Sequence, residues 1–571
     1  MAKIILLCKK DRKTDSSFIQ DIRTLFRRLC PDNISPRQPL VIQEEGIAIG
    51  IFNPSPDLPV QNNSVCMGRL FPSRTDWWKP RAEIPDGTFA LFRTDKDTVE
   101  VASDMLGTRT VWYVQTKDLF AASTSQRAIV FFLEEYRPNI DVYAWMLSSG
   151  TLGPGLSWDS RIKCLKGNSR LVLDRSSWKL ALYEKKVLFN PVDATAKEHE
   201  NRVKDALQDV FDSIDIDLRR WILTLSGGID SRAILLFLKD RKNVKCITWG
   251  LRSSLKDSKS DAYIARSVAE HFGLAHEFLE TDTSDEPFVS ILGRFLTAGE
   301  GRIDNIAGYM DGFRIWKHLF ESGNDGILRG DVAFGNRPVS MPRDVYKNVG
   351  LDILSDFDNL APVRDVINAT NQRRPSWLEK SDSENLEKWR DRLNAEFETP
   401  VVFAALNDLK LSYVETISPF LSRRIADQVR QLPDSLRTDK FLFKKIVKSL
   451  NPGIPFAQHR AVALTSDCLR SQSAVEFIMD ELNSYRTRSL FPEMLVQFMR
   501  QNTKTSQIAA STRAKSSPLL DLLRQMVPKR IRRWRKTRVL KRNLDINTLA
   551  FRACLIGRMT GILSEDAKTR S

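Results

Sequence analysis

Six consecutive residues, Ser226-Gly227-Gly228-Ile229-Asp230-Ser231, combine groups that bind phosphate with one that repels it. The glycines let the backbone curl closely around an anion. The serine hydroxyls, and the free N–H groups of the helix that the motif opens, then point at that anion. Asp230 would push a phosphate away unless a cation stood between them. Its presence therefore implies a Mg²⁺ ion shared by carboxylate and phosphate. No Gly-Lys-[Ser/Thr] ending follows, so this is not a Walker loop. The bland alternative is a glycine turn that ends a strand.

Such a motif needs a strand before it and a helix after it. Leu225 closes the apolar run 221–225, and residues 232–239 read as the helix. Around them the pattern alternates: helix 197–214, strand 244–249, helix 260–272, a short strand 276–279, a long helix 305–321, then residues 327–328 leading into Gly330. This alternation predicts a parallel sheet with crossover helices, whose strand ends are where open α/β sheets bind ligands. The first 190 residues read differently. Short apolar runs at 3–7, 46–52, 87–93, 99–103 and 111–115 lie between Gly, Pro, Asn and Asp, which predicts a β-rich domain. Beyond Pro362 the pattern is mainly helical, with a polar stretch at 500–518 and no internal repeat. Three units are expected: a β-rich 1–190, an α/β 195–460 carrying the phosphate motif, and a helical, basic extension 461–571.

Composition fits that plan. The 571 residues suggest two to four domains, and 42% hydrophobic with 28% charged residues is ordinary for a soluble globular chain. No uninterrupted apolar run of 18 residues exists, which argues against a polytopic membrane protein. The N-terminal apolar stretch is too short for a secretory signal. Seven scattered cysteines contain no C-x-x-C pair and only five histidines accompany them, so no structural zinc is expected and a reducing cytoplasm is.

The phosphate motif resembles the PP-loop of ATP pyrophosphatases, which cleave ATP to AMP and pyrophosphate while adenylating a substrate. Further stretches are similar to the asparagine synthetase family. Asp86-Gly87-Thr88-Phe89-Ala90-Leu91, Asp104-Met105-Leu106-Gly107-Thr108-Arg109 and Val111-Trp112-Tyr113 look like that family's D-F-A … D-x-x-G-x-R-x-x-Y pattern. Phe120-Ala121-Ala122-Ser123-Thr124 resembles its F-A-S-E segment. Ser260-Asp261 through Ala265, with Gly273 and His276, looks like the helix and strand after the second synthetase strand. Leu328-Arg329-Gly330-Asp331-Val332-Ala333-Phe334-Gly335 is similar to the family's second magnesium loop. Pro419-Phe420-Leu421 and Gln431-Leu432-Pro433 resemble later landmarks. The resemblance implies an N-terminal glutamine-amidotransferase-like sandwich of the Ntn type ahead of a PP-loop synthetase domain. It implies ATP and Mg²⁺ as cofactors and assigns the nucleotide to Leu225, Ser226, Gly227, Gly228, Asp230, Ser231, Thr248, Gly250 and Gly330. Asp230 and Asp331 become the magnesium ligands.

Three departures from the family shape the expected chemistry. Working glutaminases of this type expose an N-terminal cysteine after loss of Met1, whose own amine serves as base. Position 2 here is Ala, and Cys8 lies in the first apolar run as a core thiol, so glutamine hydrolysis is expected to be lost. The Glu that precedes the aspartate of the magnesium loop is absent. The later R-x-K motif has His459-Arg460-Ala461 as its nearest match, leaving Lys444, Lys445 or Arg460 as candidates for the missing lysine's role. Loss of the nucleophile beside a kept ATP motif is also the pattern of β-lactam synthetases and lasso-peptide macrolactam cyclases, in which an amine already on the substrate attacks the activated carboxylate. The reading is thus an ATP-dependent amide-forming ligase acting on a small-molecule or peptide carboxylate. Asparagine synthesis from ammonia, a tRNA-modifying PP-loop enzyme and a non-catalytic interaction protein stand as alternatives.

Net charge is +16. Residues 526–543 contain nine basic residues and no acidic one, and without those nine the balance falls to +7. Ile531, Trp534, Val539 and Leu540 lie between the charges. The segment is therefore expected to contact a partner protein or an anionic membrane surface, or to stand as a solvated basic helix. A cytoplasmic protein is expected, peripheral at the membrane if that contact is made. A nucleic-acid partner is not expected.

Overall fold

The computed structural model describes residues 3–13, 16–71, 76–282, 284–331, 334–451, 453–505 and 542–570. Residues 1–2 and all but the last two of the basic segment 526–543 lie outside them.

The N-terminal unit is a two-sheet antiparallel sandwich. Its strands are β1 (Lys3–Lys9), β2 (Leu40–Glu44), β3 (Ile47–Phe52), β4 (Val60–Gln61), β5 (Ser64–Leu70), β6 (Gly87–Thr94), β7 (Thr98–Ser103), β8 (Val111–Gln115), β9 (Leu119–Ser123), β10 (Lys163–Leu165), β11 (Ser169–Asp174) and β12 (Lys179–Glu184). One sheet runs β10-β8-β9-β1-β3-β2 and the other β12-β11-β7-β6-β5-β4. Strand β1 shows why a continuous apolar run forms here. Side chains alternate between faces along a strand. Ile4, Leu6 and Cys8 enter the sandwich core with Val65, Phe92 and Val101, while Ile5 and Leu7 face helices Phe18–Leu29 and Gln126–Leu133. Cys8 is a buried core thiol, its pKa pushed up by burial.

The second unit holds a five-stranded parallel sheet of β13 (Trp221–Thr224), β14 (Lys245–Gly250), β15 (His276–Glu280), β16 (Gly326–Leu328) and β17 (Glu415–Ile417), in the order β15-β14-β13-β16-β17. The chain builds outward from β13 to β15, then returns to the other side of β13 for β16. That reversal leaves a crevice beyond the ends of β13 and β16. The expected β-rich sandwich followed by a parallel α/β domain with a helical extension is the fold observed.

The expected helix 305–321 is broken. A 3₁₀ turn, Ile306–Tyr309, gives way to left-handed Gly312 and Phe313, and the α-helix begins afresh at Arg314–Glu321. The Asp311 carboxylate accepts hydrogen bonds from the backbone N–H groups of Phe313 and Ile315, capping the new start. The final helix, Ile546–Arg570, packs on helices Gln126–Leu133 and Asp141–Ser149 of the N-terminal unit. Its Asp566 pairs with Arg28 and Arg127, both at 2.6 Å, so the end of the chain ties the two units together. No helix among the described residues is long and apolar enough to cross a membrane.

Candidate active site

The crevice opens into a cavity of about 570 Å³ lined by the loop after β13, the ends of β14 and β16, residues 457–462, Asp261 and Arg337. Its size suits a nucleotide with a small acceptor. The loop is held by its own serines. Ser231 Oγ accepts from the Ser226 N–H at 2.9 Å, the two hydroxyls lie 2.9 Å apart, and the Gly228 N–H reaches Ser226 Oγ at 3.2 Å. Helix Ile229–Phe237 starts at Gly228 with no side-chain cap, which leaves the N–H groups of its first turn facing the cavity mouth. Asp261, the first residue of helix Asp261–Phe272, lines the cavity too, and accepts the Gly227 N–H at 2.9 Å, pinning the loop.

Asp230 and Asp331 meet across this cavity. Gly330 brings them together, because a Cβ there would lie 2.5 Å from Asp230 Cβ. Burial pushes the Asp230 pKa up against the pull of the Lys440 ammonium, whose Nζ lies 2.6 and 2.8 Å from the two carboxylate oxygens. Burial also acts on Asp331. There the Arg329 guanidinium at 3.4 Å and the Ser418 hydroxyl at 2.5 Å outweigh it and hold the pKa below the usual range. Arg329 Nε is buried with no hydrogen-bond partner among the described residues. No group of three or more His, Cys, Asp or Glu that could hold a metal is found among the described residues. Two carboxylates lining one cavity are nevertheless a donor set Mg²⁺ uses, since it keeps waters and shares phosphate oxygens. The donors fit magnesium.

The rest of the lining comes from long range. Thr248 Oγ1 donates to the Leu225 carbonyl at 2.6 Å and lies 2.9 Å from His276 Nε2, so it braces β14 against the loop. Trp249 lines the cavity and packs edge-on against Trp316. Gly250 leaves no space for a side chain, because Ala461 Cβ would be 2.6 Å from its own. Residues 457–462 thereby close over the ends of β14 and the loop. Buried Arg232 anchors the approach to them by donating to the carbonyls of Ile454 and Pro455 at 2.7 and 2.8 Å. Arg337 and Arg460 also line the cavity, and His459 Nδ1 lies 2.6 Å from Asp257.

Leu225, Ser226, Gly228, Asp230, Ser231, Thr248, Gly330, Asp331 and Arg460 all line the cavity, with Gly227 and Gly250 shaping it from behind. Lys444 and Lys445 do not line it. Lys444 pairs with Asp439 at 2.8 Å, though its charge still reaches Asp230, and Lys445 pairs with Glu200 at 3.0 Å. The lysine that contacts the site is Lys440, which reaches Asp230 without itself lining the cavity. Sequence reasoning missed it, as it missed Arg337, because no local spacing marks them, whereas His459-Arg460-Ala461, the nearest match to the R-x-K motif, does line the cavity.

In the N-terminal unit, Asp104 accepts the N–H groups of Phe89, Leu106 and Thr108, forming the turn that presents Arg109. Arg109 then pairs with Glu415 of β17, both buried. Beside that pair, Arg302 pairs with Asp408, and Lys3 with Glu300 at 2.8 Å. Asp86 accepts from Ser422 Oγ and the Arg423 N–H, capping helix Arg423–Arg430. The motif residues of the first unit thus make its seam with the second.

Residues 203–297 match the sequence model of the family described as asparagine synthase. That stretch runs through the β13 loop and β14 and stops short of Asp331. No curated protein matches significantly. Among solved structures, glutamine phosphoribosylpyrophosphate (PRPP) amidotransferase from B. subtilis, complexed with ADP and GMP, matches at 11% identity and a TM-score of 0.19. The match covers 48% of this chain and 65% of that one, so this chain spans just under two thirds of its length.

Proposed function

We propose, from the premise that residues 203–297 make this an asparagine synthetase-like chain, that it is an ATP-dependent amide-forming ligase. The acceptor carboxylate attacks the α-phosphorus of ATP and pyrophosphate leaves. An amine then attacks the acyl carbon, AMP leaves, and the amine gives up a proton. The observation that carries this reading is the uncapped helix start behind Ser226 and Ser231, facing one cavity with Asp230 and Asp331.

Ser226, Ser231 and the first-turn N–H groups would hold the pyrophosphate end of ATP. Thr248 to Gly250 would border the adenine. Asp230 and Asp331 would hold Mg²⁺, which when bound offsets the charge on pyrophosphate. Arg337 and Arg460 have no ion-pair partner among the described residues and would receive the remaining phosphate or acceptor oxygens. The amine is proposed to enter through the cavity mouth, carried by the acceptor as in β-lactam or macrolactam formation. What supports this is the seam of ion pairs Arg109–Glu415, Arg302–Asp408 and Lys3–Glu300, which occupies the ground between the two units. Holding an internal amine close replaces a free donor with a high effective concentration.

The test is pyrophosphate exchange and AMP release with Mg²⁺·ATP over a panel of carboxylates and cell-extract fractions. Aspartate with ammonia or glutamine belongs in the panel, and Asp230→Ala is the control. AMP and pyrophosphate that depend on Asp230 are expected, without stimulation by glutamine. ADP with phosphate would refute the reading.

A further inference from the structure

The carboxylate assigned above to magnesium is already engaged. Lys440 Nζ lies 2.6 Å from one Asp230 oxygen and 2.8 Å from the other, so a single ammonium uses both oxygens on the side that faces the turn. The side chain that does this sits on costly backbone. Asp439 and Lys440 are consecutive non-glycine residues at φ 56° and 55°, the left-handed region that L side chains rarely adopt. Lys440 is also the residue at which helix Phe441–Leu450 begins, where a cation opposes the positive end of the helix dipole.

Neighbouring groups impose this arrangement. The Asp439 N–H donates to the Asn336 carbonyl at 2.7 Å, and Lys444 holds the Asp439 carboxylate at 2.8 Å. Just upstream, Arg437 is locked by Asp391 at 2.5 Å and by the Leu432 carbonyl. These contacts fix the turn from which Lys440 reaches Asp230. The other charged groups at that point have other engagements or stand farther along the lining. Arg329 serves Asp331, Lys444 serves Asp439, and Arg337 lines the wall.

We propose that Lys440 is a resident placeholder for the divalent cation: its ammonium occupies Asp230 until the metal arrives, and is then displaced into the cavity toward the incoming phosphates. The proposal rests on the reading of Asp230 and Asp331 as metal ligands. Charge makes the exchange coherent. Arg329 and Lys410 act on Asp331 and Lys444 acts on Asp230 from farther off, but Lys440 is the cation in direct contact with the Asp230 oxygens, where it offsets the repulsion from Asp331. With a dication present the ammonium is redundant at Asp230, and a phosphate chain gives it a new partner. Metal entry and delivery of a phosphate-binding lysine become one event.

The test uses the full chain with Mn²⁺ alone, without ATP, and reads free Mn²⁺ by electron paramagnetic resonance. Lys440→Met is expected to bind Mn²⁺ about tenfold more tightly than the unaltered protein, because the competing ammonium is gone. The same variant is expected to bind Mg²⁺·ATP more weakly, and Lys440→Arg to keep the original Mn²⁺ affinity. A lysine that merely supports the fold would weaken both. A second readout uses the unaltered chain: saturating Mg²⁺ alone should speed acylation of Lys440 by an amine-reactive reagent, followed by mass spectrometry. Unchanged or weaker Mn²⁺ binding in a folded Lys440→Met protein, or Lys440 acylation that Mg²⁺ leaves unchanged or slows, overturns the proposal. Asp230→Asn separates the two layers. If it keeps the original Mn²⁺ affinity, the metal reading itself falls. If Mn²⁺ binding is lost there yet is indifferent to Lys440, only the placeholder falls.

Discussion

A single methyl group placed at Gly330 should separate the two carboxylates without altering either. A Cβ at that position would lie 2.5 Å from Asp230 Cβ, 2.8 Å from the Asp230 carbonyl carbon and 3.1 Å from the Ser231 nitrogen. Two of these neighbours are backbone, so no side-chain rotation relieves the clash. Ordinary contact begins at 3.4 Å, and the loop after β16 must retreat by the difference, 0.9 Å. Asp331 is the next residue and moves with it. Overpacking of this kind costs about 1–3 kcal/mol of stability, a fall in melting temperature of several degrees at about 2–4 °C per kcal/mol. The larger effect falls on function, since a misplacement of ~1 Å at a strict site costs about 10²-fold. Calorimetry of Gly330→Ala should show Mg²⁺·ATP affinity reduced by about tenfold or more, with ATP affinity in EDTA changed far less. Gly293→Ala is the matched control: its Cβ meets nothing within 4 Å inside helix Phe288–Gly299. It should stabilise slightly, by up to about 1 kcal/mol. A folded Gly330→Ala protein with unaltered Mg²⁺·ATP affinity would refute the idea that Gly330 sets the distance between Asp230 and Asp331.

Three other perturbations follow from the same contacts. Arg109→Met leaves the buried Glu415 without its guanidinium and should destabilise by about 3 kcal/mol or more, read by denaturant titration; a loss under about 1 kcal/mol would mean the pair is not what joins the units. Glu398 has its pKa raised by burial to about 7, against an ordinary 4.5. A carboxyl raised on folding favours the native state only while protonated, so stability drains away as pH climbs from 4.5 through 7. Glu398→Gln should therefore leave stability unchanged at pH 4.5 and raise it above pH 7, by at most about 3 kcal/mol, in thermal melts across that range; a pH-independent shift would remove burial as the cause. Lys445→Ala should leave Mg²⁺·ATP binding intact, since its partner Glu200 lies away from the cavity and keeps Lys204 at 2.7 Å. Arg460→Ala, by contrast, should weaken substrate or nucleotide binding, and equal behaviour of the two variants would show that lining the cavity is not what matters.

Much of this protein is written locally in its sequence. The short apolar runs at 3–7 and 46–52, set between turn residues, mark strands β1 and β3, which are buried on both faces. The run 221–225 before Ser226-Gly227-Gly228 announces a strand, a phosphate loop and a helix, since turn chemistry and helix starts depend on adjacent residues. Gly330-Asp331 was legible only through the resemblance of 328–335 to the asparagine synthetase magnesium loop. Local reading failed where a long pattern hid a break. The apolar spacing across 305–321 suits one helix, yet Gly312 and Phe313 turn left-handed beneath the Asp311 cap.

Tertiary structure alone decided which distant groups meet. Lys440 reaches Asp230 across 210 residues, while Lys444 and Lys445, one helical turn away, point to Asp439 and Glu200. Nothing in their spacing could rank the three, because a lysine's target is set by the helix it rides on and by the turn that aims it. Arg109 belongs to a motif readable in sequence, but its partner Glu415 comes from the far edge of another sheet. The wall at 457–462 carried only the partial R-x-K match His459-Arg460-Ala461, and becomes part of the site because Gly250 leaves room for Ala461 and Arg232 holds the carbonyls before it. Sequence determined the elements and the phosphate loop, whose forces act between neighbours along the chain. The charge distribution of the site was left to packing, whose forces act between neighbours in space.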